Sequence, residues 1–380
     1  MIRSRALFIV FIITAELLIP YSLFAQTRIV QPVISGDFLF AEPQRIYSGH
    51  FFQTDRSDLL VLQNIGKMTI DKGFAGGGII ETVFKLTLYS FDGKNFQPKW
   101  ESDEVFLQHS DPTYPIATNV WCFGDFNGDG IDELVIFYIN YAFIYKFNLL
   151  NSKKPDKFFS PVSTIEKSWV DQAIGCDIND DGKDEIITLE FISGPKKFAE
   201  DVADYQVGIY SVYNDSLAQL WKGLKDVGLS GNYVTPPDQF LSAIRMNGFI
   251  GEVPLLMKGQ SDVSSTEYFI VNSDSNGSFI ISRPFPAPER NSSPVGVPLF
   301  DYQGNIYSYG EFWNANPDKA YYEWFGFGLF KDNGWVLLDK VNPVISGKMC
   351  RFLGEQNKEY WLFIYNQKFS IYDREPFIMK

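Results

Sequence analysis

Apolar residues along this chain come in short, dense runs set between polar turns. Residues 58–62 read DLLVL, 133–137 ELVIF, 185–189 EIITL and 361–365 WLFIY. Such runs, bounded by Asp, Asn and Gly and rich in β-branched and aromatic side chains, predict strands rather than helices. Helical spacing is scarce. Its clearest instance, residues 198–205, is too short to hold a helix and reads as a loop.

The runs recur within a larger phrase. Residues 124–137 read GDFNGDGIDELVIF and residues 176–189 read CDINDDGKDEIITL, which align without a gap. Each has an apolar approach, an acidic glycine-containing loop and an apolar strand. Fainter versions stand at residues 49–62, 245–256, 297–312 and 350–364. In the first of these only Asp58 keeps an acidic place. Each phrase precedes a second hairpin-like stretch, at residues 85–100, 141–159, 207–221, 266–282, 321–338 and 361–373. Several turn at Asp-Gly or Asn-Gly, dipeptides that supply the positive φ of tight hairpins.

Two hairpins make a four-stranded antiparallel unit, and their succession predicts an all-β propeller of about six blades, or seven if one further unit is concealed. The last unit lacks an outer strand. Residues 28–42 have no unit of their own, and pairing them with the last blade would close the ring and remove exposed edges.

The start of the chain carries a different pattern. Arg3 and Arg5 precede an apolar run over residues 6–24, and Ala25 stands before polar Gln26. This reads as a secretory signal peptide over residues 1–25, with an uncleaved anchor as the alternative. It leaves residues 26–380 as one repeat-built domain, secreted, periplasmic or at the cell surface, with no later segment apolar enough to insert in a membrane. The formal charge of −13 sets nucleic acid aside as a partner. Aromatics at 17% add to the β reading. Three cysteines, Cys122, Cys176 and Cys350, are too few and too odd in number for a disulfide framework and read as buried thiols. The domain is expected to act as a monomer.

The acidic loops carry the clearest chemistry. Asp125, Asn127, Asp129 and Glu133 stand at positions one, three, five and nine of the first, and Asp177, Asn179, Asp181 and Glu185 at the same positions of the second. Calcium takes six to eight oxygens in a forgiving geometry, and a curled backbone brings alternate side chains together. The main-chain carbonyls at position seven, Ile131 and Lys183, add an oxygen each, and Gly130 and Gly182 fall at the sharpest part of the curl. An EF-hand is excluded, because its twelfth-position Glu is here Ile136 or Thr188, inside an apolar strand. Zinc and copper would want His or Cys at these places. About two calcium ions with a structural role are expected.

These segments resemble the FG-GAP and VCBS-type repeats of integrin-α-like propellers and of many exported bacterial proteins. The resemblance rests on the two acidic motifs. It implies calcium loops between the first and second strands of a blade, and adhesion or ligand binding as a common role; the ligand expected here is a protein or a carbohydrate. The loops at the other end of each blade are the candidate ligand surface, with His109, Asp111, Tyr114 and Tyr233 as candidate contacts. The rival reading is a polysaccharide-active, lyase-like enzyme on a calcium-stabilised propeller. The sequence offers it no catalytic motif, and no catalytic residue is assigned.

Overall fold

A computed structural model describes residues 29–373, apart from 31, 39–42, 53, 71–78, 112–113, 118, 139–140, 148–155, 162–168, 194–201, 215, 224–228, 231–238, 246–248, 259–266, 274–277, 283–298, 303–304, 314–321, 332–333, 342–347, 356–357 and 366. The signal segment 1–25 and Tyr233 lie outside the described residues. No helix among the described residues is long and apolar enough to cross a membrane.

The described chain is all-β and built from antiparallel four-stranded units in sequence order. Sheet I sets Pro43–Gly49, Asp58–Ile70, Ile79–Phe91 and Phe96–Asp111 side by side, with the short Tyr114–Ala117 at its edge. Sheet II holds Asn119–Gly124, Glu133–Tyr138, Tyr141–Lys146 and Asp156–Pro161. Sheet III holds Trp169–Cys176, Glu185–Ser193, Val202–Tyr213 and Ser216–Gly223, and sheet IV Gln239–Arg245, Glu252–Lys258, Glu267–Ser273 and Phe279–Ser282. Sheet V holds Leu299–Tyr302, Asn305–Trp313, Tyr322–Lys331 and Gly334–Val341. Sheet VI contains Lys348–Leu353, Glu359–Tyr365 and Lys368–Asp373 and takes its fourth strand, Ile34–Asp37, from the start of the chain. Ile29–Val30 runs parallel beside Gly334–Val341 in sheet V.

The unbroken apolar runs are explained by burial on both faces. Leu60 and Leu62 pack with Trp121, Leu134 and Ile136 of sheet II. Their neighbours Leu59 and Val61 point the other way, onto Phe352, Leu362 and Ile364 of sheet VI. Val135 and Phe137 meet Val170, Ile186 and Tyr210 of sheet III, while Ile187 and Leu189 meet Val271 of sheet IV. Burying each such side chain contributes about 1.5–3 kcal/mol. The first strands of neighbouring sheets also touch: Asn119–Gly124 on Trp169–Cys176, Trp169–Cys176 on Gln239–Arg245, Gln239–Arg245 on Leu299–Tyr302, and Lys348–Leu353 on Pro43–Gly49. Sheet VI therefore packs against sheet I. Cys122 and Cys176 are free and buried in first strands.

An acidic side chain sits inside the packing of sheet III. Glu190 is buried beside Tyr210, and its carboxylate accepts hydrogen bonds from the Thr188 and Tyr210 hydroxyls, the Gln206 amide and the Lys222 ammonium. With an ion pair and three further donors, its burial is compensated.

Two details differ from the sequence reading. Of residues 198–205, 198–201 lie outside the described residues, and 202–205 are not a loop but the start of strand Val202–Tyr213: Asp204 and Tyr205 pair with Glu185–Ser193, and Val202 and Ala203 with the short strand Leu229–Ser230. The Asp92-Gly93 turn is a wider one than two residues: the Asp92 N–H donates to the Asn95 carbonyl, and the Asp92 carboxylate accepts the Lys94 and Asn95 N–H groups.

Removal of residues 1–37 leaves Phe38 in its core but strips the fourth strand from sheet VI. The expected outcome is a lower melting temperature and concentration-dependent association through the bared edge of Lys368–Asp373, read by thermal melting and size-exclusion chromatography. An unchanged melt would show that the N-terminal strand contributes no stability.

Candidate metal centre

The two acidic loops join the first and second strands of sheets II and III. Most of their internal hydrogen bonds correspond. The Asp125 carboxylate accepts the N–H of Gly128 and Asp129 on Oδ1 and of Gly130 on Oδ2. The Asp177 carboxylate accepts those of Asp181 and Gly182. Asn127 Oδ1 takes the Asp129 N–H at 2.8 Å, and Asn179 Oδ1 takes the Asp181 N–H at 3.0 Å. Asp129 and Asp181 each accept the N–H of position seven, Ile131 and Lys183, at 2.9 Å.

The curl needs left-handed residues at two places. Gly130 and Gly182 have φ of 83° and 84°, and at position four stand Gly128 at 80° and Asp180 at 60°. Aspartate is among the few side chains that tolerate this region.

The ninth position closes each loop from beneath. Glu133 Oε2 accepts the Phe126 N–H at 3.0 Å, and Glu185 Oε2 accepts the Ile178 N–H at 3.2 Å. Each also accepts the amide of the position-three residue, Asn127 or Asn179. Both glutamates are only 3% exposed. Burial pushes Glu133 up to about 8, with Asp129 and Asp125 adding to the rise. Glu185 is pushed up to about 7 by burial, then by Asp181 and Asp177. Holding either as a carboxylate therefore calls for positive charge nearby.

Ten groups could supply oxygen to cations: Asp125, Asn127, Asp129, Glu133 and the Ile131 carbonyl in one loop, and Asp177, Asn179, Asp181, Glu185 and the Lys183 carbonyl in the other. Among the described residues, no group of three or more His, Cys, Asp or Glu side chains gathers so as to hold a metal ion by itself. Each loop brings three acids, and its remaining donors are an amide and a main-chain carbonyl.

The corresponding loop of sheet I keeps the closure and loses the donors. Asp58, fully buried, accepts the Phe52 N–H at 2.9 Å and the Ser90 hydroxyl. Positions one, three and five are His50, Phe52 and Thr54.

Sequence reasoning missed the eighth position. Asp132 and Asp184 do not face their own loops; each grips the first residue of the preceding one. Asp132 accepts the His50 N–H at 2.9 Å and donates its own N–H to the His50 carbonyl at 2.9 Å. Asp184 does the same to Asp125, also at 2.9 Å in both directions. Ser57 closes the boundary between sheets VI and I in like manner, through Leu353. Between sheets III and IV the Glu252 N–H donates to the Asp177 carbonyl at 2.7 Å and the Ser273 hydroxyl to the Ile178 carbonyl at 3.3 Å.

A glycine accompanies each aspartate clasp. A Cβ on Gly49 would stand 2.1 Å from Asp132 Oδ2, and one on Gly124 would stand 2.5 Å from Asp184 Oδ2. Where the clasping carboxylate is absent, so is the glycine before the clasped residue: Cys176 precedes Asp177, which Glu252 meets from behind Gly251, and Phe352 precedes Leu353, which Ser57 clasps. The available signal was the shared Asp before each ninth-position glutamate.

The candidate ligand residues lie elsewhere. His109 and Asp111 end the strand Phe96–Asp111, and Tyr114 opens Tyr114–Ala117. Asp111 pairs with Tyr114 and His109 with Glu81. By strand direction they stand at the end of sheet I opposite the loop that carries His50 and Asp55. Residues 231–238, with Tyr233, fall outside the described residues.

No protein-family model matches the chain and no curated relative is matched. Among solved structures, the Dos1 propeller is similar at 8% identity and a TM-score of 0.42, covering 90% of this chain and 95% of that one. Rhamnogalacturonan lyase YesW is similar at 10% identity and a TM-score of 0.35, covering 87% of this chain and 75% of that one.

The glycine–aspartate pairing makes a quantitative expectation. Gly124→Ala should destabilise by about 1–3 kcal/mol through overpacking, and Asp184→Ala by about 1–3 kcal/mol through the unpaired Asp125 N–H. The double variant should lose less than the sum of the two, because the alanine methyl then has room. Denaturant unfolding of the four proteins checks this, and strict additivity would count against the contact.

Proposed function

We propose that this chain is a calcium-binding β-propeller that works outside the cytoplasm as an interaction or adhesion module rather than as an enzyme. In this reading the six sheets are blades, sheet VI packs on sheet I to close the ring, and the strand Ile34–Asp37 seals the last blade. The placement outside the cytoplasm follows from the leader-like residues 1–25.

One observation carries the reading: two loops 52 residues apart, Asp125 to Asp177, share the same hydrogen-bond scaffold and the same oxygen donors. A solvated turn has no need of three acids, one of them buried beneath the loop. All the donors are hard oxygens, the chemistry that calcium prefers, and its loose angular demands suit a set that mixes carboxylate, amide and carbonyl. Such an ion would offset the burial and the repulsion that raise Glu133 and Glu185 and lock the turn between two strands. Its role is structural, adding stability by mass action.

The partner of such a module is a protein or a carbohydrate, held at the end of sheet I that carries His109, Asp111 and Tyr114, with Tyr233 as a further candidate contact. The protein acts as a monomer.

Calorimetric titration of metal-stripped protein with calcium is the test. Two binding events are expected, one lost in Asp129→Ala and the other in Asp181→Ala, and calcium should raise the melting temperature of the parent. A folded sample that takes up no calcium would reduce both loops to ordinary turns.

A further inference from the structure

At the end away from the acidic loops, the first and second strands of sheets II, IV and VI stop within a residue of each other: Asn119 pairs with Tyr138, Gln239 with Met257 and Lys348 with Ile364. Sheet I is built otherwise. Its first strand begins at Pro43, opposite Gln63, while its second strand runs on through residues 64–70. Proline has no N–H and stands where a ladder can end. Residues 64–70 pair on one side with Ile79–Phe91, which pairs in turn with Phe96–Asp111. Among the described residues nothing pairs with their other side. Sheet V has a shorter overhang of the same kind: its first strand begins at Leu299, opposite Ser308, and residues 309–313 run on.

An open strand edge presents N–H and C=O groups at alternate residues, about 7 Å apart. Another extended backbone repeats donors and acceptors at that spacing; the hydroxyls of a carbohydrate do not. Edges that must stay free are kept short or guarded by proline, charge or a bulge. Here the bulge lies at the root of the overhang, where the register shifts between Asn64 and Gly66 and Ile65 is 52% exposed. A bulge bends its strand. Beyond it the pairing is regular, from Gly66 with Val83 to Ile70 with Ile79. Residues 66–70 contain no proline and one charged residue, Lys67. His109, paired with Glu81, belongs to the same overhang.

We propose that residues 64–70 receive an extended segment of a partner protein as an added strand of sheet I. This rests on the interaction-module reading above and, within it, decides for a protein over a carbohydrate. Main-chain hydrogen bonds give such a complex its affinity, and the side chains at alternate positions give it selectivity. The partner is a different protein, because the formal charge of −13 sets two copies of this chain against each other.

The test selects a phage-displayed random peptide library on the full mature chain and measures the affinity of the selected peptides as synthetic compounds. N-methylation of every second peptide residue should weaken binding by about tenfold or more in one of the two phases, the equivalent of one or two lost main-chain hydrogen bonds, and leave it unchanged in the other. In the parent, amide exchange should slow on peptide binding at alternate residues of 66–70. Neighbouring residues of a strand turn their N–H groups to opposite sides, so one of Lys67→Pro and Met68→Pro removes a donor from the open edge. That variant should fold, by circular dichroism, and bind the peptides about tenfold or more weakly. If neither variant folds, the methylation pattern and the exchange of the parent decide. Peptides that show no alternation, or protection confined to other residues, overturn the proposal. So does a parent that sediments as a dimer which the peptides dissociate, since the edge then belongs to a second copy. A parent that binds members of a glycan array and no peptide overturns strand addition and leaves the interaction module standing. A parent that binds neither overturns both.

Discussion

A strand that is apolar on both faces cannot lie at the surface of anything, and this requirement organises the protein. The second strands of sheets I, II and III alternate their side chains between two neighbouring sheets, so Leu59 and Leu60, adjacent in sequence, belong to different interfaces. A sheet of this kind must be covered on both sides by others of its kind. Sheet VI, the last along the chain, supplies such cover to sheet I.

Packing by apolar surface alone sets no order or register among similar sheets. The polar clasps at the loop ends do. Each matches a residue of one loop to the space left by another: glycine where a carboxylate arrives, a larger residue where the partner is serine or glycine. Because the clasp atoms are main-chain N–H and C=O on one side, they also satisfy groups that the tight loops would otherwise leave unpaired.

Much of this was legible in the sequence. The strands were, because doubly buried runs such as residues 58–62 and 185–189 have no helical rival, and so were the second hairpins. The acidic loops were legible because they occur twice, and repetition separates a pattern from a chance turn. The loop of sheet I was legible only at Asp58; His50, Phe52 and Thr54 stand where the other loops carry donors. Asp132 and Asp184 were not legible as clasps. Their partners lie 82 and 59 residues away, and next to the ninth-position glutamates they look like further members of the same acidic loop. Residues 202–205 were misread because a strand of mixed residues shows its identity only through the neighbour that pairs with it.

The pairing of Ile34–Asp37 with Lys368–Asp373 has a consequence for biosynthesis. Sheets II to IV can form as soon as their own segments have emerged from the ribosome, since each is drawn from consecutive residues. Sheet VI cannot. Its first-made strand must wait, unpaired, through the synthesis of nearly everything between, and contacts so distant along the chain form slowly. During that wait the chain shows an open strand edge to any chaperone or translocation factor that binds extended polypeptide.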